Sequence, residues 1–186
     1  EKGLMLGEML ARDNDFVIIS ESCAGGTTTA LAVMTAMGVT KENLVSSSSP
    51  NNPKELKSRI VAESLAAAGI EPGDMKDDPI GAIECVGDPM MPANIGIVCG
   101  AAPHVPVIIG GGTQGTTRWL MDDANSSMRR IIDAITPDVP AVYVNVDYSG
   151  SPYEGLQAYE WGFIKEGVGC GGSSVGAIAM TGGRIT

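Results

Sequence analysis

Short unbroken apolar runs recur along this chain, each closed by polar residues, with longer helical patterns between them. Residues 16–19, Phe-Val-Ile-Ile, form the first run, and Ser20 ends it. A run of this kind, with no alternation, is the form of a strand buried on both faces of a parallel sheet. Residues 105–109 and 141–146 are two further buried-strand candidates, so strands are predicted at 16–20, 105–109 and 141–146. Leu4, Leu6, Met9 and Leu10 predict a short amphipathic helix ending near Asn14. Residues 27–37 mix small and apolar side chains and stop at Gly38, as a helix packed closely on a sheet would. Pro53 suits the first position of a helix running to about Ala68, with Gly69 as its stop.

Further along, 80–86 and 93–101 read as helices separated by the Gly87-Asp88-Pro89 break. Residues 116–135, 154–164 and 173–180 are also expected to be helical. The stretch 45–52 is a Ser/Pro/Asn-rich loop, and 71–78 is an acidic loop whose charges read as a solvated edge. Strands alternating with helices imply an α/β fold, a mainly parallel sheet covered on both faces in three layers. The three strands are expected to be adjacent and parallel. In such sheets ligands collect at the carboxyl ends of the strands.

Composition narrows the partners. The chain has 186 residues, enough for one domain with a substantial core, and 1–186 is read as a single nucleotide-binding domain. It opens at Glu1 within a helical pattern and without Met, as a piece of a longer protein would. Aromatic residues make up only 4% and the net charge is −10, which argues against a nucleic-acid partner. Residues 89–117 carry no charge apart from His104, but Pro92, Pro103, Pro106 and the glycines exclude a membrane-spanning helix there. No secretory signal is visible. Cys23, Cys85, Cys99 and Cys170 follow no metal or disulfide spacing and read as buried or half-buried thiols in a reducing cytosol.

Three glycine clusters then change the picture. Gly25-Gly26-Thr27-Thr28-Thr29 follows the first strand, Gly110-Gly111-Gly112-Thr113 the second, and a third runs from Gly167 to Gly172. Glycine lets backbone amides come close to a ligand, and a helix N-terminus offers unpaired N–H groups and partial positive charge to an anion. Together the clusters point to a small molecule carrying phosphate. Thr27, Thr113 and Ser173 are the candidate hydroxyl donors. Few cations stand near the clusters in sequence, so the backbone is expected to supply most of the attraction.

The candidate chemistry lies just past the strand ends. Glu21 falls at the expected ligand edge, either as a working carboxylate or as an acidic residue complementing a helix dipole. Glu166 precedes Gly167-Val168-Gly169-Cys170-Gly171-Gly172 and is a candidate general base; pairing with Lys165 is the plainer alternative. Asp147 could bind a ribose hydroxyl. Asp88, in Gly-Asp-Pro-Met-Met-Pro, reads first as a turn or cap residue. His104 has no evident catalytic partner and is read as a packing residue. Met90 and Met91 could wall an apolar pocket or fill core. No P-loop, HExxH, GxSxG or dinucleotide fingerprint is present.

Four ordered segments carry a family resemblance: 21–30 (ESCAGGTTTA), 86–93 (VGDPMMPA), 110–114 (GGGTQ) and 165–169 (KEGVG). Together they resemble the nicotinate-nucleotide–dimethylbenzimidazole phosphoribosyltransferase (CobT) family, in its archaeal-type branch. The resemblance implies a Rossmann-like domain and phosphoribosyl transfer from nicotinate mononucleotide to a benzimidazole-type base, in assembly of the cobalamin nucleotide loop. It implies that Glu166 is the catalytic base and that Glu21 matches the family's other functional glutamate. Gly25, Gly26, Thr27, Asp88, Gly111, Gly112, Thr113, Asp147, Gly167, Gly169, Gly171, Gly172 and Ser173 are the expected substrate-binding residues. No cofactor and no metal are expected. A homodimer is implied, with this chain as a C-terminal portion lacking an N-terminal part that contributes to the base pocket. Lys165 departs from the family pattern, which has glycine before the catalytic glutamate. Two other classes stay open on the residues alone, a non-catalytic nucleotide-binding module and a nucleotide-cofactor oxidoreductase.

Overall fold

The computed structural model describes residues 1–20, 23–39, 45, 47, 51–110, 149–154, 157 and 180–182. The elements are α1 (Lys2–Arg12), β1 (Val17–Ser20), α2 (Gly26–Ala36), α3 (Lys54–Ala68), α4 (Pro79–Val86), α5 (Met90–Ala101) and β2 (Val107–Gly110). Helices and a parallel strand pair make this an α/β fold, as the sequence predicts. The expected strand at 141–146 and helix at 116–135 lie outside the described residues, and the three-layer arrangement rests on them. Of the helices expected at 154–164 and 173–180, the described residues Glu154, Gln157 and Met180 are helical. The chain divides into two compact units.

One unit holds the described residues of Glu1–Gly26, Gly87–Gly112 and Gly167–Thr186. Its strands run parallel, with Val17 opposite Val107, Ile18 opposite Ile108, Ile19 opposite Ile109 and Ser20 opposite Gly110. Ala11, Val17 and Ala101 form its core, with Leu10, Ile19, Val105 and Val107 packed against them. The packing of α1 differs from the amphipathic expectation. Its buried residues are Gly7 and Ala11, whereas Leu4, Leu6 and Met9 are exposed. The reason is a backbone-to-backbone approach. A Cβ on Gly3 would stand 3.1 Å from the Gly96 Cα, and one on Gly7 would stand 3.0 Å from the Gly100 Cα. Large side chains are excluded from this seam and turned outward.

The other unit holds the described residues of Thr27–Val86 and Thr113–Glu166. Ala32, Val61 and Leu65 are its core, joined by Leu31, Ile70 and Val86. Gly69 ends α3 at φ +71, and its N–H and that of Ile70 reach back to the Ala66 and Leu65 carbonyls. This is the left-handed helix stop that favours glycine. Pro53 stands at the N-cap of α3 rather than at its first helical position, so the helix starts one residue later than expected, at Lys54. After Gly69 the acidic loop docks its backbone on the end of α2. Gly73 N–H donates to the Thr35 carbonyl at 3.0 Å, and Met75 N–H donates to the Ala36 carbonyl at 2.9 Å. Those carbonyls are helix-end acceptors with no partner inside the helix.

Candidate functional site

The two strands end together. Because they are parallel and Ser20 pairs with Gly110, the chain leaves both at the same sheet edge. That is the edge where open α/β sheets bind ligands. Glu21 and Gly111–Thr113, the next residues after these strands, lie outside the described residues. Beyond them the Cys23 carbonyl accepts the Gly26 N–H at 3.0 Å. Gly25 sits at φ +74, a conformation that side-chain-bearing residues seldom adopt. α2 then begins at Gly26, so Gly25 and Gly26 form the turn and Thr27 lies in the first helical turn.

Within the unit that contains Thr27, the structure adds a residue the sequence reading missed. Lys57 is only 6% exposed, and its Nζ donates to the Thr27 Oγ1 at 3.1 Å. A buried ammonium therefore stands at the start of α2, a cation that the sequence around the first glycine cluster does not show. Lys57 lies 30 residues from Thr27 in sequence, in the charged stretch Lys54–Arg59, so it reads as surface. The signal was its register. Lys57, Val61 and Leu65 are the buried residues of α3 and recur every four positions, which places them on one helix face. Thr27 supplies a hydroxyl, Lys57 a cation, and the helix start supplies backbone amides.

Asp88 takes the turn-and-cap role. Its Oδ1 accepts the Met90 N–H at 2.8 Å, and its carbonyl accepts the Met91 N–H at 2.9 Å. α5 therefore begins at Met90, three residues earlier than expected, with Pro92 inside its first turn. The other carboxylate oxygen, Oδ2, lies 3.8 Å from the Cys23 Sγ, 65 residues away in sequence, and shares the one thiol proton with the Ala24 carbonyl at 3.9 Å. Met90 and Met91 are half-buried, and the Asn94 side-chain amide donates to the Met90 Sδ at 3.0 Å.

Other candidates fall differently. Asp147, Glu166, Gly167, Gly169, Gly171, Gly172 and Ser173 lie outside the described residues, as does Cys170. Cys23, Cys85 and Cys99 are thiols, as expected, but all three are exposed rather than buried. His104 is exposed too, not a packing residue. It lies in the turn between α5 and β2, where the 102–104 backbone leaves the helix toward the surface. No helix among the described residues is long and apolar enough to cross a membrane.

Residues 1–132 match the profile of the Phosphoribosyltransferase family. The chain is 40% identical to a UPF0284 protein of Methanopyrus kandleri, over 100% of this chain and 53% of that protein. It is 38% identical to UPF0284 proteins of Methanothermobacter thermautotrophicus and Sulfolobus acidocaldarius, over 96% of this chain and 55% and 56% of theirs. The chain thus spans a little over half the length of these relatives. With the profile extending from α1 through β2 and across the glycine turn, the chain belongs to the CobT-type phosphoribosyltransferase family, a family of glycosyltransferase-type enzymes.

Proposed function

We propose that the protein transfers the phosphoribosyl group of nicotinate mononucleotide to a benzimidazole-type base, yielding the α-ribosyl nucleotide phosphate and nicotinate for the cobalamin nucleotide loop. The observation that carries this reading is the buried Lys57 ammonium on the Thr27 hydroxyl at the start of α2. A phosphate accepts from an ammonium, from a hydroxyl and from helix-start amides alike, and this stretch of chain brings those three donor types together. The Gly25 turn that leads into α2 lets backbone approach such a ligand closely.

The chemistry asks little of the protein beyond placement. The pyridinium on the anomeric carbon is already a good leaving group. Its C–N bond breaks with the electron pair returning to the ring nitrogen, and nicotinate departs. The incoming base forms the new C–N bond and loses its N–H proton to a carboxylate, assigned here to Glu166. Glu21 stabilises positive charge on the ribosyl carbon or orients the nucleotide. The reading also takes Gly111, Gly112, Thr113, Gly167, Gly169, Gly171, Gly172 and Ser173 as substrate-binding residues and Asp147 as a ribose contact. Holding both reactants in line supplies much of the rate. The reading includes a cytoplasmic homodimer.

The test is incubation of the full-length protein with nicotinate mononucleotide and a panel of benzimidazoles and purines, following nicotinate release and nucleotide formation. Transfer to at least one benzimidazole is expected. Binding of nicotinate mononucleotide should exceed that of the nucleoside lacking phosphate by at least tenfold, about 1.4 kcal/mol. Equal affinities, or NAD(P) binding in place of transfer, would overturn the assignment.

A further inference from the structure

Asp88 spans two pieces of chain with the two oxygens of one carboxylate. Oδ1 caps the first turn of α5 at the Met90 N–H, and Oδ2 accepts from the Cys23 thiol. Cys23 in turn closes the glycine turn, because its carbonyl holds the Gly26 N–H. All four residues belong to the same compact unit. The α5 end is the firmer anchor, a charge-assisted bond of ordinary length to a helix that packs through backbone contact on α1. The thiol link is long and weak by comparison, at 3.8 Å, and competes with the Ala24 carbonyl at 3.9 Å for the same proton. A weak link suffices here, since it orients an exposed turn that already has the Gly26–Cys23 bond of its own.

The carboxylate is poorly suited to touch the ligand itself. It is an anion, and a phosphate beside it would be repelled. Each of its oxygens also has a donor within this unit. We infer that Asp88 is a positioning residue: it acts through Cys23 to set the Cys23–Gly26 turn, and thereby the amides that open α2, rather than binding substrate. The inference deepens the proposed phosphoribosyl transfer and rests on it for its catalytic consequence.

The experiment is a cycle of Cys23→Ala, Asp88→Asn and the double variant in the full-length protein. Asn keeps one oxygen for the Met90 amide, so α5 stays capped while the acceptor facing Cys23 is lost. Amide hydrogen exchange should quicken at Gly26 several-fold in each single variant, with no further gain in the double variant, and stay unchanged at Met90. The KM for nicotinate mononucleotide should rise several-fold with kcat within about twofold, again non-additively. Cys23→Ser, which restores a donor, should recover part of the loss. Unchanged exchange at Gly26 in Asp88→Asn overturns the inference. So does an Asp88→Asn effect on KM that persists undiminished in the Cys23→Ala background, which would mean direct contact with substrate. If the wild-type protein turns over no nucleotide, the proposed function falls, and the exchange at Gly26 still decides whether Asp88 sets the turn.

Discussion

Gly7 of α1 and Gly100 of α5 meet backbone to backbone: a Cβ on Gly100 would run into the Leu4 carbonyl and lie 3.0 Å from the Glu8 nitrogen. The obstacles are main-chain atoms of the facing helix, which cannot rotate away as a side chain would. Gly7→Ala or Gly100→Ala therefore forces the helices apart. Overpacking costs about 1–3 kcal/mol, and the gain in helix propensity, about 1 kcal/mol, offsets only part of it. Both variants are expected to lower Tm in thermal unfolding of the full-length protein. A Tm equal to or above wild type would show that the seam is looser than its geometry.

Lys57→Met separates charge from packing. Methionine retains the apolar stem at a position that is 6% exposed, so the fold should hold. Tm is expected to stay within about 4 °C of wild type, while the Kd for nicotinate mononucleotide rises at least tenfold, about 1.4 kcal/mol. Titration calorimetry measures the second quantity. Unchanged affinity would remove Lys57 from the phosphate site.

The proposed roles of the two glutamates differ in what their loss does. Glu166→Gln cannot take the proton from the incoming base, so kcat in the full-length protein should fall about 10²–10⁴-fold with nucleotide affinity nearly unchanged. Glu21→Gln should raise the nucleotide Kd as well as slow turnover. Near wild-type turnover in Glu166→Gln would move the base assignment to Glu21.

Two glycines at positive φ give a graded comparison of stability. Gly38 (φ +83) has the Gly73 Cα at 3.3 Å from where its Cβ would be, whereas Gly69 (φ +71) has open space around it. Gly69→Ala should cost only the left-handed strain, about 1–2 kcal/mol. Gly38→Ala adds a backbone contact and should cost more. Urea unfolding of both variants orders them, and a reversed order would contradict the docking of the 71–78 loop on α2.

Much of the fold was legible because its signals are local. The apolar runs at 16–19 and 107–109 are continuous, the second starting only after Pro106, and Gly38 and Gly69 stop helices by a local conformational need. The start of α5 was less legible, because Pro89 and Pro92 suggest a break. Proline is tolerated in a first turn, whose N–H groups have no partner inside the helix, and Asp88 caps that turn. The glycines of α1 carry no local signal, since Gly3 and Gly7 acquire meaning only opposite Gly96 and Gly100. Lys57 was hidden for the same reason: its role depends on Thr27, a contact that only the folded chain makes.

The seam between α1 and α5 also orders events during synthesis. α1 and β1 emerge before their partners α5 and β2, which follow only after 27–86, the stretch that supplies α3, α4 and most of α2 to the other unit. At typical elongation rates those roughly 60 residues take about 3–12 s. Through that interval the nascent α1 exposes both its glycine face and its leucines and methionines, an opportunity for chaperone capture that closes only when residue 101 has left the ribosome.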